Sequence, residues 1–457
     1  MSLTQAAIGI DWGTHSSKWT WTCLESDSSK IIRGQFKILR SEVRFDGDTH
    51  KIVLVDEPPP TNSIYAQAIK GKLIKDPDGL FWVGPRKRIK LTLGELVSFS
   101  LWFLVSEAYN NLCDSVGTEP DEVEVRFSLP NWVDIDEGAV GRAWYEQAAR
   151  VACHIFAADR KEGSRVFSPV REEWQLRVQQ ALGELNISDD SEISRDHEGF
   201  SVLLQRPPYK IAEGVAFRFV AESSGAGLAG LRNEEMEAGI EENKYLRKIL
   251  VVDVGAGSTD IGYVLRSIPP ARSGAREALC QLPPANTCQV AGAELSRAIV
   301  DIYRSRGDVI GFDEAERLKT VGENKEWLTH PAVAEWRRTI SDHVRRYVTD
   351  VADKRWLHLV PGLQVLVTGG SAVVPGLREE ILAAATDALK QRVIPLDVVV
   401  ATSLIGLRLE GPMANDANRL AVALGAASED LPRLSYFPKL DPPMPVSTVR
   451  PRPSWTG

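Results

Sequence analysis

One short pattern occurs twice in this chain, and it constrains the fold more than any other feature. IGIDWGTHSSKWTW starts at Ile8 and LVVDVGAGSTDIGYV at Leu250. Each is an apolar run of strand character that closes on an aspartate, then a turn of Gly and hydroxyl residues, then a second strand. Asp11 and Asp253 stand 242 residues apart, a spacing that implies a duplicated domain and not a short-period solenoid. The chain is therefore expected to be α/β, with related lobes over residues 1–247 and 248–430 and a proline-rich tail over 431–457.

The repeated turn has a chemical use. An aspartate at a strand end, followed by Gly and Ser/Thr amides, offers N–H donors to phosphate oxygens and a carboxylate to water-bound Mg²⁺. A single turn of this kind is permissive, because Gly also serves tight turns and Asp caps them. The run Gly255-Ala256-Gly257-Ser258-Thr259 lacks the third glycine of a dinucleotide fingerprint and leads into a strand. No G-x-x-x-x-G-K-[ST] loop occurs. A third glycine pair, Gly369-Gly370 before Ser371, follows the strand Val365–Thr368 and precedes a helix opening near Pro375; it permits a flat group to lie against backbone.

Between these turns, strands are expected at Ala6–Ile10, Lys18–Leu24, Glu122–Leu129 and Phe217–Val220, with strand-like alternation through Gln35–Val55. Helices are expected at Leu93–Leu112, Ile135–Phe156 and Asp416–Ala427, and a solvated one at Glu234–Glu242. The charged stretch 158–210 reads as an insertion, and the prolines after Leu431 as an extended or disordered tail. With 43 % hydrophobic and 25 % charged residues the chain has ordinary globular usage. Its net charge of −8 supplies no general basic field for nucleic acid. Five dispersed cysteines without a C-x-x-C pair, no signal-like start and no uninterrupted 20-residue apolar span lead us to expect a cytoplasmic protein with no membrane segment.

In order, IGIDWGT, VAESSGAGLAGL, VVDVGAGSTDIG, VAGAEL, VLVTGGSAVVPGL and DANRLAVALGAA resemble the nucleotide-binding domain of heat shock protein 70 chaperones, within the actin-like ATPase superfamily, over residues 6–428. The resemblance implies two actin or ribonuclease H-like lobes closing on Mg-ATP or Mg-ADP. It implies that Asp11 and Asp253 hold hydrated Mg²⁺, that Gly13, Thr14 and His15 form one phosphate loop, and that Gly255, Ala256, Gly257 and Ser258 form the other. Asp260 would orient the attacking water or a monovalent cation, and Glu222 would position water. The catalytic lysine falls at Lys70 or Lys72, with Lys70 favoured; Glu316, Lys319, Gly369, Gly370 and Ser371 would face adenosine.

Departures from the family pattern matter. His15, Ser16 and Ala256 replace expected residues, Ser223 replaces a proline, and no β-sandwich substrate domain follows the last motif. The expected activity is thus a slow Mg-dependent ATPase acting as a nucleotide switch or chaperone-like regulator of a protein partner, docked through 158–210 or the tail. A filament-forming ATPase, a small-molecule kinase and a non-hydrolysing nucleotide-binding scaffold are the other readings.

Overall fold

The computed structural model describes residues 4–25, 30–45, 51–54, 64–66, 69–70, 80–83, 89–129, 136–164, 168–186, 204, 206–237, 246–267, 278–321, 326–352, 363–391, 402–405, 407, 416–429 and 431–436. Its strands are β1 (Thr4–Asp11), β2 (Ser16–Glu25), β3 (Lys30–Arg40), β4 (Val43–Phe45), β5 (Ile52–Leu54), β6 (Ile64–Ala66), β7 (Leu80–Val83), β8 (Ile89–Thr92), β9 (Glu122–Leu129), β10 (Tyr209–Ala212), β11 (Val215–Ala221), β12 (Leu246–Val254), β13 (Thr259–Ser267), β14 (Ala278–Cys288), β15 (Leu363–Thr368), β16 (Thr402–Ile405) and β17 (Leu434–Tyr436). The helices are α1 (Leu93–Val116), α2 (Asp136–Glu162), α3 (Arg171–Glu184), α4 (Glu222–Glu237), α5 (Gly292–Ser305), α6 (Phe312–Val321), α7 (Pro331–Ala352), α8 (Leu377–Gln391) and α9 (Ala417–Ala426). Among the described residues no helix is long and apolar enough to cross a membrane.

Two six-stranded sheets carry the fold, ordered β10-β11-β9-β1-β2-β3 and β16-β15-β12-β13-β14-β17. Their centres repeat each other. In each, an antiparallel meander (β1-β2-β3, β12-β13-β14) is extended by a parallel strand beside its first member, β9 on β1 and β15 on β12. A second parallel strand follows, β11 on β9 and β16 on β15. This is the duplicated actin/ribonuclease H-like two-lobe α/β fold. The parallel strands need helical crossovers, and the first is α1, whose start is fixed by a capping box between Thr92 and Glu95 and whose end turns on Gly117 in the left-handed region.

Two helices lie between the sheets. Helix α4 opens directly off β11, and α9 crosses it with glycine against glycine: a methyl on Gly425 would stand 2.9 Å from the Gly225 Cα, and one on Gly225 would meet the Val422 carbonyl at 2.7 Å. Ala421, Val422 and Ala426 of α9 join Ile8, Ile10 and Val125 of the first sheet in one buried cluster, which also takes in Val251 and Val264 of the second. Arg126, buried on β9, donates to the Ala426 and Ser428 carbonyls at 3.1 and 2.6 Å and so closes the C-terminus of α9. A second cluster, with Tyr263, Trp336 and Tyr347, fills the far side of the second sheet.

Several elements differ from the sequence expectation. The alternation over Gln35–Val55 divides among β3, β4 and β5, and β4 and β5 belong to a separate small sheet with β6. The helix expected to end at Phe156 runs on to Glu162, because Asp159 is held by the Trp102 indole at 2.7 Å and by Arg177. Within 158–210, α3 is fastened to α1 through Trp174, which is buried against Phe99 and Trp102 and donates to the Glu95 carbonyl at 3.0 Å. The tail does not start as open chain: Leu431 and Leu434 are buried, and β17 pairs in parallel with β14. Residues 437–457, 187–203 and 238–245 lie outside the described residues.

Candidate functional site

A cavity of about 230 Å³ opens where the two repeated turns face each other. Fifteen of the seventeen residues expected to serve it line its wall: Asp11, Gly13, Thr14, His15, Lys70, Glu222, Asp253, Gly255, Ala256, Gly257, Ser258, Glu316, Gly369, Gly370 and Ser371. The turns touch, since a methyl on Gly257 would come within 2.6 Å of the Thr14 hydroxyl. Gly369 takes φ +92°, which brings its backbone flush with Asp253 and Val254 and leaves no room for a side chain. Lys72 lies outside the described residues.

Asp260 and Lys319 are not on the wall. The Asp260 carboxylate is buried behind the second turn and accepts from Ser258 Oγ at 2.8 Å and Thr287 Oγ1 at 2.7 Å. Asp260 pairs with Asp253 across the β12–β13 hairpin and shares its buried setting, and the two hydroxyl donors are what hold it off the wall. Lys319 reaches the Gly292 carbonyl at 3.1 Å and Glu316 Oε1 at 2.7 Å, so it orients Glu316 from behind.

The same register identifies a residue that sequence reasoning missed. Lys18 is the β2 partner of Asp11, as Asp260 is the β13 partner of Asp253, and its ammonium sits 2.8 Å from Asp11 Oδ2 on the cavity wall. Counting the hairpin from Asp11 would have found it. Ser128 and Thr368 were also missed as a pair. They lie in the last two residues of β9 and β15, the parallel neighbours of β1 and β12, and each donates at 3.1 Å to the aspartate beside it, Asp11 Oδ1 and Asp253 Oδ1 respectively. Ser16, Arg317, Arg419 and Val422 complete the wall, and nothing in their spacing announced them.

Lys70 and Glu222 form a buried ion pair at 2.7 Å, with both side chains under 10 % exposed. Burial on its own would depress the Lys70 ammonium, but the carboxylates of Glu222, Asp11 and Asp260 outweigh it and raise the pKa, so Lys70 stays charged. Burial pushes the Glu222 carboxyl up against the pull of Lys70, with Asp260 and Asp11 adding to the rise. Burial likewise pushes Asp253 up to about 7, helped by Glu222 and Asp11 and opposed by Lys18 and the Thr368 hydroxyl. His15 is driven down by burial.

Asp253 is the informative group. Glu222 has Lys70 and Asp11 has Lys18, but among the described residues Asp253 has no ion-pair partner and takes one side-chain hydrogen bond, from Thr368. A buried carboxylate without a cation is costly. Its place on the wall beside Asp11 fits a hydrated divalent cation held by the two through water. No group of three or more His, Cys, Asp or Glu side chains among the described residues is placed to ligate a metal directly.

Comparison with known proteins adds little beyond this geometry. No protein-family model matches the chain. No curated protein matches it either. Among solved structures, the ethanolamine utilization protein EutJ from Carboxydothermus hydrogenoformans is similar at 14 % identity, over 92 % of this chain and 89 % of that one, with a TM-score of 0.36. At that score the two backbones coincide only loosely, and the two-lobe fold rests on the matching strand orders of this chain's own sheets.

Proposed function

We propose that this chain binds ATP and ADP with Mg²⁺ in the cavity between its sheets, hydrolyses ATP slowly, and uses the change of ligand to alter its contacts with a partner protein. The observation that carries the reading is the pairing of two equivalent strand–turn–strand units around one cavity, with Asp253 buried there and without an ion-pair partner among the described residues. Asp11 and Asp253 would hold the hydrated cation, which supplies neutralising charge to phosphate oxygens. The amides of Gly13–His15 and Ala256–Ser258 would serve the phosphates as donors, the Gly255 N–H being used within its own turn by the Ser258 carbonyl at 2.9 Å, and Thr14 against Gly257 fixes how close the two turns stand. Lys18 and Lys70 bring fixed positive charge to the phosphate region, where electrostatic stabilisation is the main contribution open to a protein.

Glu222 is proposed to accept a proton from the attacking water. Its raised pKa and its contact with Lys70 suit a group that must change partner before it acts. Glu316, held by Lys319, and the open backbone at Gly370 are proposed to receive the nucleoside. The proposed action on a partner would run through α4 and α9, which pack between the two sheets and would carry any change in their separation.

Calorimetric titration of the purified chain with ATP and Mg²⁺, paired with phosphate-release kinetics and the Asp253→Ala variant, tests the proposal. Saturable Mg²⁺-dependent binding and slow turnover, both lost in the variant, are expected. A chain that takes up neither ATP nor ADP at millimolar concentration would overturn it.

A further inference from the structure

We infer that Gly292, at the start of α5, is a positioning residue for the proposed ligand: one backbone turn behind the cavity wall sets both the aim of the second phosphate turn and the seat of Glu316 and Ser371, and only glycine fits there. This rests on the Mg-nucleotide reading above and deepens it, by adding a residue off the wall on which both ends of the ligand depend.

The phosphate side runs through the main chain. The Gly292 and Ala293 N–H groups donate to the Gly255 and Ala256 carbonyls at 2.9 and 2.8 Å. A trans peptide points its N–H opposite to its C=O, so carbonyls drawn towards α5 turn the Ala256 and Gly257 N–H groups away from it. Ala256 and Gly257 line the cavity, and these are donors the phosphates would use. The supporting segment is itself held, the Val290 carbonyl by Thr259 Oγ1 at 2.8 Å and the Ala291 carbonyl by the buried Trp336 indole at 2.7 Å.

The nucleoside side runs through the Gly292 carbonyl. It accepts from Lys319 Nζ at 3.1 Å, and the same ammonium donates to Glu316 Oε1 at 2.7 Å. Ser296 Oγ stands 3.0 Å from that carbonyl and beside the same Glu316 oxygen, with its one proton available to either. A methyl on Gly292 would lie 2.2 Å from Ser371 Oγ, 3.0 Å from the Gly255 carbonyl and 3.2 Å from Lys319 Nζ. One added carbon therefore presses on the second phosphate turn, on the loop after β15 and on the lysine that holds Glu316. Groups that face a ligand keep their geometry only when the residues behind them are fixed.

Calorimetric titration of the full chain with ADP and with pyrophosphate, each with Mg²⁺, tests this at a temperature well below the melt, where loss of fold does not enter the affinity. Gly292→Ala should weaken pyrophosphate by about tenfold or more and ADP by a larger factor, since both ends are disturbed. Gly183→Ala, the same change in open space, should alter neither. Adding Ser371→Gly to Gly292→Ala removes the closest contact, so ADP should regain its margin over pyrophosphate, judged against Ser371→Gly alone. Pyrophosphate should stay weak there, because the contact with the Gly255 carbonyl remains. A folded Gly292→Ala chain that binds pyrophosphate as the parent does, or that loses ADP and pyrophosphate by the same factor, would overturn the inference and leave the nucleotide reading standing. A parent that binds neither ligand would remove that reading and this inference with it. Should Gly292→Ala not fold, hydrogen–deuterium exchange on the parent decides: pyrophosphate with Mg²⁺ should slow exchange over residues 292–296 and 316–319, and protection confined to 255–258 would overturn the joint support.

Discussion

Replacing Gly425 by alanine asks whether the two central helices meet backbone to backbone. A methyl at that position would stand 2.9 Å from the Gly225 Cα and nearer still to its carbonyl, whereas packed carbon atoms settle about 3.5–4.0 Å apart. Neither obstacle is the end of a flexible side chain, so the helices must separate by about 1 Å. That separation loosens the buried Ala226 and Leu228 on α4 and Val422 and Ala426 on α9. Overpacking ordinarily costs about 1–3 kcal/mol, and contact with backbone places Gly425→Ala at the top of that range. At about 2–4 °C per kcal/mol for a chain region of this size, the melting temperature should fall by roughly 6–12 °C. Gly183, near the end of α3 with no heavy atom within 4 Å of a methyl built there, is the matched control. Gly183→Ala should raise stability by about 0.5 kcal/mol through helix propensity. Thermal unfolding by circular dichroism on the two variants and the parent provides the measurement. A Gly425→Ala melt indistinguishable from the parent would refute the crossing.

Asp253→Asn should melt above the parent at pH 8 without ligand, and the gap should close as pH falls towards 4. The carboxyl is raised to about 7 in the folded chain from about 3.9 unfolded, so the stability it lends when protonated is present at low pH and lost as pH rises to 7 and beyond. A pH-independent gap would count against this. Lys70→Met leaves the buried Glu222 carboxylate without its partner and should cost about 3–5 kcal/mol; adding Glu222→Gln should recover part of the loss, and strictly additive melts would show that the pair is not coupled. Trp174→Ala should cost about 3–5 kcal/mol by emptying the contact between α3 and α1, while Leu176→Ser, at a side chain 64 % exposed, should leave the melt unchanged. Equal effects from those two would mean that α3 is not anchored as described.

Much of the central architecture was legible in the sequence because a strand closing on aspartate, followed by a glycine turn, is a local signal that periodicity and turn chemistry report directly. The duplicated spacing of Asp11 and Asp253 added the long-range fact that two such units exist. What local pattern does not encode is which side chain of the next strand reaches the site and which is tied away from it. Lys18 and Asp260 are both hairpin partners of the key aspartates, yet one is exposed to the cavity and the other is tied away by Ser258 and Thr287. Lys319 was misplaced for a similar reason: an E-x-x-K spacing puts two side chains on one helix face without saying which is nearer the ligand. The burial of Leu431 and Leu434 escaped because the prolines around them dominate the local composition, while the strand that pairs with Leu434 is β14, far away in sequence.

The position of α9 in the chain has a consequence for how the protein is made. Residues 417–426 leave the ribosome long after β1 and β9, yet Gly9 of β1 packs against the Ala423 carbonyl and the Ala427 backbone, and Arg126 of β9 waits for the carbonyls of Ala426 and Ser428. The first lobe is therefore completed by a helix made long after its own strands. Until then β1 presents an unfilled apolar face, and a nascent chain stalled before residue 417 would be a substrate for chaperones and proteases instead of a free-standing lobe.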